Sequence, residues 1–221
     1  MKMIISIGGN IGSGKSTMIR YLEKHRTDIQ CITEPIHKWG EWMQLFYSNP
    51  TKYAFGFQMK ILDSFQYLDA DNDNIVYVTE RSPWESNHIF AKLLLEQGLL
   101  SEVEYDLYNT YHMKYAWKPH VYIYINTSYN ECISRMKSRN RKEEENINHE
   151  YVTILDEQYN KVFTMSQISD TFIEFSPTIY SYDVLENTHV SNNLQVYEID
   201  GNRPVDDVFE DVNTVLNRML L

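Results

Sequence analysis

The sequence has few cysteines, few basic residues and no long apolar run. Its 221 residues include 2 cysteines, and 20 Lys and Arg stand against 31 Asp and Glu, for a formal net charge of -11. A chain this acidic repels backbone phosphates, so we expect no nucleic acid polymer as a partner. Cys31 and Cys132 lie in or beside apolar runs without metal-ligand spacing, which favours free thiols in a reducing compartment. No stretch approaches the about 20 apolar residues of a membrane span, so we expect no membrane association and a cytoplasmic location.

The apolar content is sufficient for one folded domain. Hydrophobic residues make up 43% of the chain and aromatic residues 14%, and the length favours a single α/β domain over residues 1–221. Short β-branched or aromatic runs separated by helical stretches predict five strands: Met3–Ile7, Gln30–Thr33, Ile75–Thr79, Val121–Ile125 and Gln195–Ile199. The sequence therefore predicts an α/β fold with a five-stranded parallel sheet flanked by helices.

The most specific motif is a glycine-rich loop between the first strand and a helix predicted from Lys15 to Lys24. It fits the P-loop pattern G-x-x-x-x-G-K-[ST] and consists of Gly9, Asn10, Ile11, Gly12, Ser13, Gly14, Lys15, Ser16 and Thr17. In such a loop the backbone N–H groups surround the phosphates of a nucleotide, the lysine reaches the β- and γ-phosphates, and the Ser16 hydroxyl can bind Mg²⁺. The alternative is a chance match or a decayed loop, and the flanking strand and helix count against it.

Polar residues follow each predicted strand at the edge where ligands bind in parallel sheets. Glu34 follows the second strand and Glu80-Arg81 the third, with Asn126 after the fourth. A carboxylate at this edge could accept a proton from a hydroxyl or hold Mg²⁺, and Arg81 could steady a phosphate or the carboxylate. Each residue taken alone could instead be a capping or turn residue.

The second informative feature of the sequence is a cluster of cationic residues. Five lie within eight residues, from Arg135 to Lys142, and three glutamates follow directly. We interpret residues 135–147 as an Arg-rich lid whose cations neutralise a transferring phosphoryl group. The alternative is a solvated helix face with ion pairs at i,i+4 spacing.

Taken together, these motifs resemble the deoxynucleoside kinase family. The resemblance rests on the P-loop, Thr33-Glu34-Pro35 with Trp39, Tyr47, Phe57-Gln58, Glu80-Arg81-Ser82 and the Arg-x-Arg-x-Glu-Glu lid, in this order from residue 3 to about 163. It implies a P-loop kinase fold and transfer of the γ-phosphoryl group of ATP, with Mg²⁺, to the 5'-hydroxyl of a deoxynucleoside in nucleotide salvage. It also implies a homodimer.

The resemblance assigns roles in the reaction. Glu34 would be the base that takes the proton from the 5'-hydroxyl, and Arg81 would hold that base and the incoming phosphoryl group. Glu80 would place Mg²⁺ together with Ser16. The ATP phosphates and the transition state would be bound by four cations: Lys15, Arg135, Arg139 and Arg141.

It also assigns the acceptor site. Tyr47 and Glu144 would bind the 3'-hydroxyl of the sugar, and Gln58 would bind the edge of the base through its amide, which has one donor and one acceptor end. Trp39 and Phe90 would form the walls around the base, Phe90 by stacking.

Two positions bear on base preference. Family members that favour deoxycytidine or purines carry an Arg and an Asp where this chain has Phe65 and Ser86. The difference resembles thymidine-preferring enzymes, and Phe65 is expected to narrow the space for a purine. We therefore expect a preference for thymidine and other pyrimidine deoxynucleosides.

Two alternative functions share this fold. A thymidylate-type nucleoside monophosphate kinase would need a further arginine platform for the acceptor phosphate. A non-catalytic structural subunit would be expected to have lost at least one of Lys15, Ser16, Glu34 and Arg81.

Residues 164–193 match no part of the family pattern and receive no role. The apolar positions between Ile89 and Trp117 suit a helix pair that is mostly core.

Overall fold

The computed structural model of the chain describes residues 3–65, 75–139, 147–164, 178–183 and 193–220. Within these ranges one six-stranded sheet has the order β2-β3-β1-β4-β6-β5. Its strands are β1 Met3–Gly8, β2 Gln30–Ile32, β3 Val76–Glu80, β4 Val121–Asn126, β5 Thr178–Asp183 and β6 Asn193–Asp200. β1 to β4 and β6 pair in parallel, which confirms the predicted five-stranded parallel sheet.

Helices flank this sheet in the described ranges. They are α1 Lys15–His25, α2 Gly40–Ser48, α3 Pro50–Ser64, α4 Pro83–Glu85, α5 Lys92–Glu96, α6 Glu102–Tyr115, α7 Tyr129–Arg139, α8 His149–Thr164 and α9 Val205–Leu220. A 3₁₀ turn, Ile36–Lys38, precedes α2, and a π-helical turn, Ser86–Ala91, joins α4 to α5.

Several helix starts follow from local sequence. The Asn49 side chain accepts from the Lys52 backbone N–H, and Pro50 takes the first position of α3, where no N–H is needed. Ser82 and Pro83 start α4 in the same way, which explains the proline after Glu80-Arg81-Ser82. Helix α6 begins with a reciprocal capping box between Ser101 and Glu104.

The apolar side chains form separate clusters. One, the sheet core, packs β1, β3, β4 and β6 against α1 and α9 and includes Ile5, Ile7, Ile19, Leu22, Ile123, Ile199 and Val212. A second, the aromatic cluster, joins α2, α3 and α6 and includes Trp39, Met43, Phe46, Phe57, Phe65 and Tyr108. The sheet core therefore supports the P-loop helix, and the aromatic cluster supports the opposite side of the cleft described below.

Two features differ from the sequence-based expectations. Strand β5 lies within the span 164–193, to which no role was assigned, and pairs antiparallel with β6 from Thr178 opposite Glu198 to Asp183 opposite Asn193. It covers the backbone edge of β6, which would otherwise be open; residues 165–177 and 184–192 lie outside the described ranges. In α6, Tyr108 is buried, but Leu107, Tyr111 and Tyr115 are exposed by 44%, 42% and 43%, so the expectation that most of these positions are core was wrong there.

Among the helices that the structure describes, none has the length and apolar character needed to cross a membrane.

Candidate active site

The P-loop connects β1 to α1 and depends on three glycines in the left-handed region. Gly9, Gly12 and Gly14 have φ angles of 140°, 85° and 108°. A Cβ on Gly12 would lie 2.5 Å from the backbone oxygen of Cys132, so both the angle and the close approach of α7 require glycine. The glycines thus let the loop turn tightly against α7.

Lys15 is buried at the start of α1 and turns back over the loop. Its Nζ donates to the Gly9 oxygen at 2.9 Å and to the Asn10 oxygen at 2.7 Å. Burial, followed by the positive charge of Arg81, lowers the pKa of Lys15 to about 8. The loop backbone therefore orients the ammonium group at the place where a P-loop receives phosphates.

The Ser16 hydroxyl and the Glu80 carboxylate are joined by a hydrogen bond in the cleft that Lys15 also lines. The Ser16 Oγ donates to Glu80 Oε1 at 2.5 Å, and Glu80 Oε2 accepts from the Glu34 backbone N–H at 3.3 Å. Mg²⁺ prefers such hard oxygen atoms and usually takes one or two carboxylates, with waters and substrate phosphates as further ligands. The residues present therefore fit Mg²⁺. In the described ranges, no group of three or more His, Cys, Asp or Glu side chains that could hold a metal ion occurs.

Glu34 and Arg81 form an ion pair at the carboxyl ends of β2 and β3. Arg81 Nε lies 2.9 Å from Glu34 Oε1, and the two side chains are 8% and 11% exposed. Burial raises the pKa of Glu34 to about 7, with a further contribution from the Glu80 charge, while Arg81 opposes the rise. A carboxylate that titrates near neutral pH is suited to accept a proton from a substrate hydroxyl.

Arg81 is held from several sides. It has a φ of 65°, which is uncommon for a residue with a Cβ. Its Nη1 donates to Glu85 Oε1 at 3.0 Å and to the Tyr159 hydroxyl at 3.1 Å, and its guanidinium carbon lies 4.6 Å from the centre of the Phe90 ring. These contacts fix the guanidinium group, and they also hold the backbone of Arg81 at its unusual φ angle.

A cleft of about 800 Å³, its open mouth included, joins these groups to the aromatic cluster. Lys15, Ser16, Glu34, Glu80 and Arg81 line one end. The other end is lined mainly by apolar and aromatic residues: Ile36, Trp39, Met43, Phe46, Tyr47, Phe57, Gln58, Ile61, Ser86, Phe90, Ile147 and Tyr151. The cleft thus combines a polar, charged end with an end lined by apolar and aromatic side chains.

Gln58 is the informative polar group at the apolar end. The residue is 2% exposed, and its Oε1 has no hydrogen-bond partner in the part of the chain that the structure describes. Such an acceptor costs about 1 to 3 kcal/mol when it is left without a donor. A ligand with a donor at this position would remove that cost.

A second cavity, of about 500 Å³, lies on the other side of the P-loop. Arg135 forms part of its wall, with Nη1 donating to the Ser13 oxygen at 3.1 Å and Nη2 to the Gly201 oxygen at 2.9 Å. Thr17 and Arg203 also line it. Arg135 therefore links the P-loop to the turn that follows β6.

Comparison with known proteins identifies the family of this chain. The sequence model described as deoxynucleoside kinase matches residues 5–217. The chain belongs to the deoxynucleoside kinase family. It is similar to "Putative kinase protein 029R" of Invertebrate iridescent virus 3, with 32% identity over 221 residues that cover 99% of this chain and 98% of that protein.

Other relatives in the family carry more specific names. Deoxycytidine kinase 2 of Gallus gallus is 31% identical, with 67% of this chain and 69% of that protein covered. The thymidine kinase of Ictalurid herpesvirus 1 is 26% identical, with 71% and 72% covered. The chain is thus a deoxynucleoside kinase by family.

The cleft brings together most of the residues that the sequence assigned to the acceptor. Trp39, Tyr47, Gln58, Ser86 and Phe90 all line it. On the phosphate side Arg139, at the end of α7, also lines the cleft. Residues 140–146 lie outside the described ranges, and with them Arg141, Glu144 and most of the predicted lid.

Phe65 requires a correction. It does not line the cleft but is 2% exposed behind the wall, with its ring centre 6.4 Å from that of Trp39 and 6.0 Å from that of Trp117. Its backbone oxygen accepts from Trp117 Nε1 at 2.7 Å. Phe65 therefore supports the Trp39 wall from behind instead of narrowing the cleft itself.

Sequence reasoning also missed residues that the structure brings to the site. Tyr151 of α8 lines the cleft next to Tyr47, and Glu85 and Tyr159 contact Arg81 from behind. Arg81 and Glu85 are four residues apart, but Arg81 precedes α4, so their ion pair is not the i,i+4 pair of a helix that the sequence could have indicated. The tyrosines are brought in by α8, and no local pattern marks them.

Proposed function

We propose that this deoxynucleoside kinase transfers the γ-phosphoryl group of ATP, with Mg²⁺, to the 5'-hydroxyl of a pyrimidine deoxynucleoside in nucleotide salvage. We further propose that thymidine is preferred over deoxycytidine. The observation that carries the proposal is the Glu34–Arg81 ion pair in the same cleft as Lys15 and Ser16.

The reaction follows from these groups. Glu34 accepts the proton of the 5'-hydroxyl, which is a poor nucleophile until that proton is removed. Arg81 orients Glu34 and stabilises the charge of the phosphoryl group in flight, and Lys15 binds the β- and γ-phosphates. Ser16 and Glu80 would hold Mg²⁺, which would supply positive charge to the phosphates when bound. The transfer is direct and in line, without a covalent enzyme intermediate.

For the donor, we propose that the second cavity receives the adenine of ATP. Its position beside Gly14 and Thr17 of the P-loop supports this assignment. Arg135 would bind ATP from α7, and Arg139 and Arg141 would approach the phosphates from the lid.

For the acceptor, we propose that the base lies between Trp39 and Phe90 with its edge on Gln58. The buried Gln58 Oε1 needs a donor, which the N3–H of thymine or the amino group of cytosine can supply. Ser86 brings no carboxylate to bind the cytosine amino group, which favours thymine. Tyr47 and, from the lid, Glu144 would bind the 3'-hydroxyl. The relatives named deoxycytidine kinase and thymidine kinase support a pyrimidine acceptor.

We propose that the chain acts as one domain over residues 1–221 and as a cytoplasmic homodimer. The exposed apolar side chains of α6 support the dimer: Val103, Leu107, Tyr111, Met113 and Tyr115. Light scattering of the purified protein would measure a mass close to 26.3 kDa or close to twice that value.

The test is a panel of acceptors. The purified protein is incubated with Mg-ATP and, separately, thymidine, deoxycytidine, deoxyadenosine, deoxyguanosine and thymidine monophosphate, and the products are quantified by chromatography. Monophosphate from thymidine, with less from deoxycytidine and little from purines, is the expected result. Diphosphate from thymidine monophosphate alone would indicate a nucleoside monophosphate kinase. No product from any acceptor would indicate a non-catalytic protein of this fold.

A further inference from the structure

Glu85 is a carboxylate buried behind the active site. It is 0% exposed and does not line the cleft. Its Oε1 accepts from the Gly9 backbone N–H at 3.1 Å, from Arg81 Nη1 at 3.0 Å and from the Tyr159 hydroxyl. The three donors come from the P-loop, the end of β3 and helix α8. One oxygen atom therefore joins three elements that surround the reacting groups.

The hydrogen bonds around Tyr159 have a definite direction. The hydroxyl has one proton, and both Glu85 and the Gly9 oxygen, at 2.9 Å, lie within reach of it. The carboxylate is the stronger acceptor because it is charged, so Tyr159 donates to Glu85 while it accepts from Arg81. Tyr159 thus closes a ring with the carboxylate and the guanidinium.

The energetics argue against a purely space-filling side chain. Moving a carboxylate out of water is expensive unless it is paired and hydrogen-bonded, and an apolar side chain of similar volume often stabilises a fold as well. Glu85 has its Arg81 partner, but that partner also pairs with Glu34 in the cleft. The guanidinium is therefore fixed between one carboxylate in the cleft and one behind it.

We propose that Glu85, with Tyr159, is a positioning residue that fixes Arg81 and the start of the P-loop relative to each other. The proposal rests on the proposed kinase reaction. In that reaction Arg81 orients Glu34, and the P-loop orients the phosphoryl donor. A shift between them of about 1 Å can lower the rate about 10²-fold. Glu85 acts through Arg81 and Gly9, since it touches neither substrate.

The kinetic test uses the Glu85→Gln variant, which keeps the shape and one acceptor but removes the charge. We expect kcat to fall about 10- to 100-fold, while the KM values for ATP and thymidine stay within about threefold, because the walls of both sites are unchanged. The matched control is Glu96→Gln, which neutralises an exposed carboxylate 2.8 Å from Lys161 and should leave kcat unchanged. A Glu85→Gln variant with kcat within twofold of the parent would overturn the proposal.

A double-variant cycle distinguishes positioning from general destabilisation. If Glu85 acts through Arg81, then Glu85→Gln adds little to the loss caused by Arg81→Lys, because residues that work as a unit are not additive. Losses that multiply would mean that Glu85 has no link to Arg81 and would overturn the inference. Tyr159→Phe, which removes only the hydroxyl, should also lower kcat, but by less than Glu85→Gln does. It replaces the Glu85 variants in the test if those variants do not fold.

A readout independent of catalysis separates this inference from the proposed function. Amide hydrogen exchange at Gly9 should be at least tenfold faster in Glu85→Ala or Tyr159→Phe than in the parent, with exchange at the core residues Leu155 and Val212 unchanged. A parent protein inactive on the whole acceptor panel would refute the kinase proposal, while faster exchange at Gly9 would still support the positioning role. Unchanged exchange at Gly9 in both variants would overturn that role whatever the activity.

Discussion

Replacement of Glu34 by glutamine is the most direct test of the proposed chemistry. The substitution keeps the size of the side chain and leaves the P-loop contacts of Lys15 unchanged. The amide cannot accept the proton of the 5'-hydroxyl, so we expect ATP to bind as before while kcat falls about 10²- to 10⁴-fold. That loss corresponds to about 3 to 5 kcal/mol in the activation free energy.

The raised pKa of Glu34 decides the pH at which the variant and the parent are compared. Because burial raises the pKa of Glu34 to about 7, the fraction of the enzyme that carries the ionised base increases as the pH rises through neutral. The comparison is therefore made at pH 8, with thymidine monophosphate quantified by chromatography and ATP affinity by titration calorimetry. Glu41→Gln, at an exposed carboxylate of α2, is the matched control. Turnover of Glu34→Gln within about tenfold of the parent would refute the assignment of Glu34 as the base.

Three further outcomes are expected. Protonation of Glu34 removes the base, so kcat/KM should fall about tenfold per pH unit below its pKa of about 7, and a profile flat down to pH 5.5 would contradict this. Gln58→Leu should raise the KM for thymidine about tenfold or more, since the hydrogen bonds to the base are lost, and unchanged steady-state kinetics would count against that contact. Gly12→Ala should abolish ATP binding in calorimetry, because the new Cβ would lie 2.5 Å from the backbone oxygen of Cys132. In the control variant Gly40→Ala the new Cβ has no atom within 4 Å, so this variant should bind ATP as the parent does.

The parts of the fold that repeat a local pattern could be predicted from the sequence. The five parallel strands agree with the predicted runs to within about two residues, because short β-branched segments between helices leave few alternatives. Helix α1 was expected from Lys15 to Lys24 and ends one residue later, at His25. The carboxylate and guanidinium of Glu34 and Arg81 were expected near each other because both follow parallel strands at the same edge.

The remaining features depend on contacts between distant segments. Strand β5 gains its partner only through the antiparallel pairing with β6, a contact that the pattern of the strand itself does not specify. Phe65 was assigned to the cleft from its position in the family pattern, but its ring faces Trp39 and Trp117 behind the wall. Glu85 and Tyr159 meet through tertiary packing, and an isolated glutamate in a short helix gives no sign of burial.

The separation of the sheet core from the aromatic cluster has a consequence for how such an enzyme can change during evolution. The P-loop helix packs on the sheet core, whereas Trp39, Phe57 and Phe65 pack in the aromatic cluster. Substitutions at Trp39 or Phe57 therefore alter the packing around α2 and α3 without changing a residue of the sheet core. The stability lost through such a substitution would be local to the aromatic cluster, and a nucleoside bound in the cleft would offset part of it by mass action.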